Sequence, residues 1–183
     1  MRVAVVCFAN TCRSPVAEAY LARFLQGNPG VSVFSRGLAG GPGITPEAMQ
    51  TALHERGLGL VSASGERLVS EDLDADLYLF MERAILREAV VRHPALWPRS
   101  FTMREFARRA QLNPPQPSAE TFEQWLALLH STRTRDELLG VNPLDDVSDP
   151  GLGGDVLAFE SMIDDLESLS HKVAQFLSGW PTR

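Results

Sequence analysis

Two residues near the start of the chain, Cys7 and Arg13, have the types and the spacing of a phosphoryl-transfer site, and Ser14 directly follows the arginine. A cysteine acts as a nucleophile through its thiolate, which a positive environment favours. The Arg13 guanidinium can hold two oxygens of a phosphate-like dianion at once, and the Ser14 hydroxyl can donate a hydrogen bond to the thiolate. Together these groups predict phosphoryl transfer through a covalent cysteine intermediate.

The residues around this pair predict a strand, a loop and a helix. Residues 3–6 are a short apolar run, typical of a strand that is buried on both faces. Residues 16–25 have apolar side chains at helical spacing, and we expect Ser14 to be the N-cap and Pro15 the first helical residue. The loop therefore ends at a helix N-terminus, where backbone N–H groups and the helix dipole attract anions. The residues that we expect to surround the phosphate are Phe8, Ala9, Asn10, Thr11, Cys12, Arg13 and Ser14.

The loop resembles the signature of the low-molecular-weight protein tyrosine phosphatases. The matching residues are the Cys-x5-Arg-Ser spacing together with Asn10, Cys12, Pro15 and the pair Ala17-Glu18. The resemblance implies that Cys7 attacks phosphorus and that Asn10 fixes the loop. It also implies that Asp149, in a late Asp-Pro pair before the last helix, protonates the leaving group and then activates water.

Several departures from the family pattern leave the substrate open. Ala9 occupies a position that is usually glycine, and residues 60–68 lack the histidine that often steadies the loop asparagine. The aromatic pocket walls of the family are absent from residues 38–44 and from Gly151. We predict a phosphoprotein phosphatase that acts on phosphotyrosine-type monoesters.

Three alternatives remain. Thr11 stands where related arginine phosphatases carry threonine, so a protein arginine phosphatase with the same mechanism is the first. A thioredoxin-coupled arsenate reductase is disfavoured, because its relay needs cysteines beyond Cys12. A weakly active phosphate-binding module is the third alternative.

Alternation of strands and helices predicts the fold. The chain reads as a single phosphatase domain over residues 1–183, of the α/β class, with a doubly wound four-stranded parallel sheet and helices on both faces. Ligands of such sheets bind at the carboxyl ends of the strands, where Cys7 lies. Residues 94–146 are expected to be an extended helical insertion, in which 132–139 continue the preceding helix. The predicted strands are 3–6, 31–35, 76–81 and 100–102, and the last helix covers 155–177.

Composition narrows the function further. A net charge of −6 over 183 residues disfavours nucleic acid and anionic membranes as partners. We expect no membrane span and no signal peptide. Two cysteines, both in the loop, indicate a reducing cytoplasm. We expect no metal and no cofactor, a phosphorylated protein or small aryl phosphate as substrate, and a monomer or weak dimer.

The remaining polar residues carry simpler expectations. Cys12 either packs the loop or protects Cys7 through a reversible disulfide. Asp145 and Asp146 are expected to be solvated turn residues, and the arginines of residues 103–110 a solvated helix face. We expect each of the four histidines to be a surface or helix-end residue: His54, His93, His130 and His171.

Overall fold

The computed structural model describes residues 1–58 and 64–180. Its centre is a four-stranded parallel sheet with the order β2-β1-β3-β4. The strands are β1 (Arg2–Cys7), β2 (Ser32–Gly37), β3 (Leu77–Phe80) and β4 (Ser100–Thr102). The predicted α/β fold is therefore confirmed.

Seven α-helices surround the sheet in the described part of the chain: α1 (Arg13–Phe24), α2 (Glu47–Glu55), α3 (Arg83–Arg92), α4 (Met103–Leu112), α5 (Phe122–Ser131), α6 (Arg135–Leu139) and α7 (Val156–Leu177). Three short 3-10 helices cover Ser70–Asp72, Pro94–Arg99 and Pro143–Asp145. The expectation that residues 132–139 continue α5 is wrong. The chain leaves the helix at Thr132, and the Thr134 hydroxyl accepts a hydrogen bond from the Glu137 amide to cap a separate short helix. That residues 94–146 are an insertion stays a prediction.

Both faces of β1 are covered by apolar side chains. Val3 and Val5 belong to a large cluster with α1 and α7, whereas Ala4 and Val6 belong to a second cluster with α3. The apolar stripe of α7 is thus part of the core. Because β1 is held on both faces and along both edges, its carboxyl end is a fixed platform for the residues that follow.

Two further points concern residues 60–68 and the search for membrane-spanning helices. Residues 60–68, the stretch that lacks the histidine, lie partly outside the described residues, and within the described part Arg67 forms a β-bridge with Gly37. None of the helices in the described ranges combines the length and the apolar character needed to cross a bilayer.

Asp145 ties the segment before Asp149 to α3 and α4. Its carboxylate has no solvent exposure (0%), so the expectation of a solvated turn residue is wrong. It accepts hydrogen bonds from Arg83, from Arg108 and, at 2.9 Å, from the Asn142 side-chain amide. Burial raises the pKa of Asp145, but the hydrogen bonds and charges of Arg108 and Arg83 outweigh it and leave that pKa below its usual value.

The neighbouring charged residues also make contacts that the sequence pattern does not indicate. Asp146, expected in the solvent, accepts the Arg83 backbone N–H at 2.8 Å at the start of α3. On α4, Arg108 is exposed, as expected for a solvated helix face, but Arg104 is paired with Asp165 and Arg109 with Glu105 at 2.9 Å. Two of these partners lie 63 and 61 residues away along the chain, where no local pattern indicates them, whereas Glu105 is one helical turn from Arg109.

We expect Asp145→Asn to lower the free energy of unfolding by about 3 kcal/mol, because it leaves buried arginine charge uncompensated. Urea unfolding measures this, with the exposed Asp136→Asn as a matched control that should change little.

Wild type and Asp145→Asn together also test how the stabilisation by Asp145 depends on pH. Since the Asp145 pKa is lower in the folded than in the unfolded chain, its stabilisation is complete above the unfolded value of about 4 and is lost as the pH falls below it. The stability gap between wild type and Asp145→Asn should therefore shrink in acid. A gap that stays constant with pH would contradict this role.

Candidate active site

Cys7 is the last residue of β1, and its thiol is almost completely buried, with 3% of the residue exposed. The sulfur accepts two hydrogen bonds, from the Ser14 hydroxyl at 3.0 Å and from the Asn10 backbone N–H at 3.2 Å. Both donors place positive hydrogen atoms against the sulfur, an arrangement that stabilises a thiolate. The local sequence produces this contact because the chain turns back immediately after the strand.

The turn depends on Asn10, which has a φ of +52°, the only positive φ of a non-glycine residue in the described ranges. Asparagine adopts this left-handed conformation more readily than most residues. The sharp bend therefore does not fall on Ala9, so the alanine at the usual glycine position is accommodated. In place of a histidine, two serines hold the Asn10 side chain: Ser35 Oγ accepts at 3.2 Å, and the Ser64 hydroxyl donates at 3.4 Å.

The glycine-rich stretch after β2 packs directly on the loop. The Leu38 and Ala39 amides donate to the carbonyls of Cys7 and Phe8, each at 2.9 Å. A Cβ on Gly37 would lie 2.7 Å from the Ala9 carbonyl carbon, and one on Gly41 would lie 2.6 Å from the Ala9 oxygen. Only glycine allows this approach, so these residues are a support for the loop backbone.

Helix α1 begins at Arg13, with Cys12 at the N-cap position, so the expectation of Ser14 as N-cap and Pro15 as first helical residue is wrong. Ser14 lies in the first turn, where its hydroxyl faces the Cys7 sulfur instead. Burial, together with the negative charges of Asp149 and Cys7, raises the pKa of Cys12 to about 12. Cys12 is therefore a neutral thiol at ordinary pH.

Arg13 joins the loop to two distant parts of the chain. Its buried guanidinium donates to the Glu82 carboxylate and to the Val147 carbonyl at 3.2 Å. Its other nitrogen donates to Asp149 at 2.5 Å, so the structure brings the late Asp-Pro pair to the loop. Sequence reasoning missed Glu82; its place just beyond the end of β3, at the same sheet edge as Cys7, was the available signal.

Cys7, Arg13 and Asp149 line one cavity of about 380 Å³, a volume in the range of small-molecule sites. The Asp149 side chain is 45% exposed, and its carboxylate accepts a hydrogen bond from the Gly151 backbone N–H at 3.0 Å. A buried sulfur, a guanidinium and a carboxyl around one cavity provide the parts for phosphoryl transfer. The cavity is lined by Cys7, Phe8, Ala9, Thr11, Cys12, Arg13, Gly40, Gly41, Pro42, Asp149, Gly151 and Leu152.

Comparison with known proteins gives a family match. The family model described as "Low molecular weight phosphotyrosine protein phosphatase" matches residues 2–136. A curated relative, the probable low molecular weight protein-tyrosine-phosphatase EpsP of Ralstonia nicotianae, is 32% identical over 130 residues, which cover 69% of this chain and 87% of the relative.

Solved structures agree with this match. The YwlE arginine phosphatase from Geobacillus stearothermophilus superimposes with a TM-score of 0.69 at 26% identity, over 96% of this chain and 92% of that one. The low molecular weight protein tyrosine phosphatase from T. tengcongensis has a TM-score of 0.68 at 25% identity, over 96% and 98%. The similarity thus extends over nearly the whole chain.

The close packing at Gly37 yields a test of the loop. We expect Gly37→Ala to weaken binding of orthovanadate, a phosphate-shaped anion, by about tenfold or more, because the new methyl group must displace the backbone of residues 8–10. Gly27→Ala is the matched control, since its Cβ would meet no atom within 4 Å. Isothermal titration calorimetry measures both, and equal affinity in the two variants would contradict the support role of Gly37.

Proposed function

The chain belongs to the low molecular weight phosphotyrosine protein phosphatase family, and we propose that it hydrolyses phosphotyrosine-type monoesters of phosphoproteins through a cysteinyl-phosphate intermediate. The resemblance inferred from the Cys-x5-Arg-Ser loop is confirmed by these matches. The observation that carries the mechanism is that Cys7, Arg13 and Asp149 line one cavity.

In the first step the Cys7 thiolate attacks phosphorus, and the bond between phosphorus and the ester oxygen breaks. The two hydrogen bonds from Ser14 and Asn10 support this role, because they favour the thiolate before attack and receive it again as the leaving group later. Asp149 delivers a proton to the departing oxygen, so the leaving group departs as a neutral hydroxyl.

In the second step water attacks the phosphocysteine. Asp149, now a carboxylate, removes a proton from that water, the sulfur–phosphorus bond breaks, and inorganic phosphate and the Cys7 thiolate are formed. The exposed side of the Asp149 carboxyl supports this role, because water and the leaving group both need to reach it.

Arg13 stabilises the phosphoryl oxygens in both steps. Its contacts with Asp149 and Glu82 have a consequence for substrate binding. A phosphate dianion competes with these carboxylates for the same guanidinium, so its arrival exchanges the Arg13–Asp149 contact for an Arg13–phosphate contact. That exchange frees the Asp149 carboxyl to face the leaving-group oxygen, while Glu82 keeps Arg13 oriented from the other side.

The proposal extends to the compartment, the domain organisation and the oligomeric state. We place the enzyme in the cytoplasm, because Cys7 and Cys12 are free thiols and a reducing compartment keeps them so. We propose one phosphatase domain over residues 1–183 that works as a monomer or weak dimer on a phosphorylated protein or small aryl phosphate. The proposed insertion, residues 94–146, would hold the Asp149 segment in place through Asp145.

A protein arginine phosphatase is the second candidate. Thr11 lines the cavity, where its hydroxyl donates to the Ala9 carbonyl at 3.4 Å. A polar group at this position suits a guanidine better than an aliphatic side chain does. The solved relative at 26% identity that is described as an arginine phosphatase supports the same candidate.

We expect Cys7→Ser to abolish turnover of phenyl phosphate, because a serine hydroxyl is a far weaker nucleophile towards phosphorus than a cysteine thiolate. Asp149→Asn should lower kcat by about a hundredfold or more, through loss of the general acid. Steady-state hydrolysis measures both effects, with the exposed Asp136→Asn as control. Full activity in either site variant would overturn the assignment of that residue.

Matched phosphopeptides separate the two substrate classes. We expect a higher kcat/KM for phosphotyrosine than for phosphoarginine, and we expect Thr11→Ile to widen the difference because it removes the polar group from the cavity. A wild-type preference for phosphoarginine would replace the main proposal with the second candidate.

A further inference from the structure

The side chain of Phe8 has no clear structural role where it stands. It is 53% exposed and lines the cavity that also contains the sulfur of Cys7. Large aromatic side chains are normally covered, because their burial contributes much of the stability of a core. An exposed phenyl ring at the mouth of a reactive cavity is therefore available to a ligand.

The backbone fixes Phe8 in this place. Its carbonyl accepts the Ala39 amide at 2.9 Å and lies 2.9 Å from the position a Cβ would occupy on Gly37. The preceding residue, Cys7, is locked at the end of β1 by its pairing with Gly37. The backbone at Phe8 is therefore fixed, and in this setting the exposed ring lies at the cavity rather than in the core.

No other aromatic residue lines the cavity in the described part of the chain. Gly40 and Gly41 have no side chains to offer, and Gly41 has no room for one. On the side that carries Asp149, the cavity ends in Gly151 and in Leu152, which is 61% exposed. Apolar contact for a substrate therefore comes from Phe8, with Leu152 and Pro42 as aliphatic neighbours.

From this arrangement we propose that Phe8 is the specificity-determining residue that selects aryl phosphates. Its ring stacks against the aromatic ring of the substrate while Arg13 holds the phosphate and the ester oxygen faces Asp149. This inference rests on the proposed phosphatase function and adds the residue that recognises the aromatic ring of the substrate. Phosphate esters without a ring have too little apolar surface to use this contact, so the loop that binds the phosphate also selects what is attached to it.

The experiment compares 2-naphthyl phosphate with phenyl phosphate, two aryl esters that differ chiefly in ring area. Wild type should show a higher kcat/KM for the naphthyl ester. In Phe8→Ala that preference should fall by about two- to tenfold, the range expected for one aromatic contact, and mainly through KM. Phe8→Leu, which keeps an apolar side chain but no ring, should also lose preference. Leu112→Ala, at an exposed residue that does not line the cavity, should not.

Binding of orthovanadate, which has no ring, monitors the loop in each variant. Unchanged vanadate affinity together with a reduced naphthyl preference supports the proposal. An unchanged preference in Phe8→Ala would overturn it while the phosphatase function stands, and so would loss of vanadate binding in both Phe8 variants, which would make Phe8 a structural residue. If wild type hydrolysed neither ester, the proposed function itself would fail.

Discussion

A buried sulfur at the carboxyl end of the central strand is the constraint on which the rest of the site depends. β1 is paired along both edges and covered on both faces, so it delivers Cys7 to one fixed position. The chain must then reverse within three residues for the Asn10 amide to reach the sulfur at 3.2 Å. That reversal requires a left-handed residue and a neighbour without a side chain, which Asn10 and Gly37 supply.

Arg13 connects this turn to the rest of the molecule. Glu82 reaches it from the end of β3, and Val147 and Asp149 reach it from the segment that Asp145 anchors between α3 and α4. Three parts of the chain that are far apart in sequence therefore meet at one guanidinium. The buried Asp145 carboxylate, which makes no contact with the sulfur itself, can in this way influence where Asp149 lies, because only three residues separate the two aspartates.

Local patterns in the sequence were sufficient for the fold and for the loop. Each of the patterns that predicted them is formed by neighbouring residues: the apolar run of β1, the alternation of strands and helices, and the Cys-x5-Arg-Ser spacing. Hydrogen bonds and ion pairs between residues far apart in the sequence could not be predicted from such patterns. Asp145 looks like an ordinary turn aspartate until Arg83, 62 residues earlier, is placed beside it. The supports of Asn10 were missed for the same reason, since Ser35 and Ser64 come from separate segments.

The central claim is that the sulfur of Cys7 carries the phosphoryl group during turnover. Rapid acid quench of the Asp149→Asn variant with 4-nitrophenyl phosphate, followed by mass spectrometry of its peptides, tests this most directly. The nitrophenolate group leaves without a proton from residue 149, so the intermediate still forms, whereas its breakdown lacks the base and should be slow enough to let it accumulate. The account predicts a phosphate adduct on the peptide that contains Cys7, at that residue. Turnover with no adduct, or an adduct on any other residue, would contradict it.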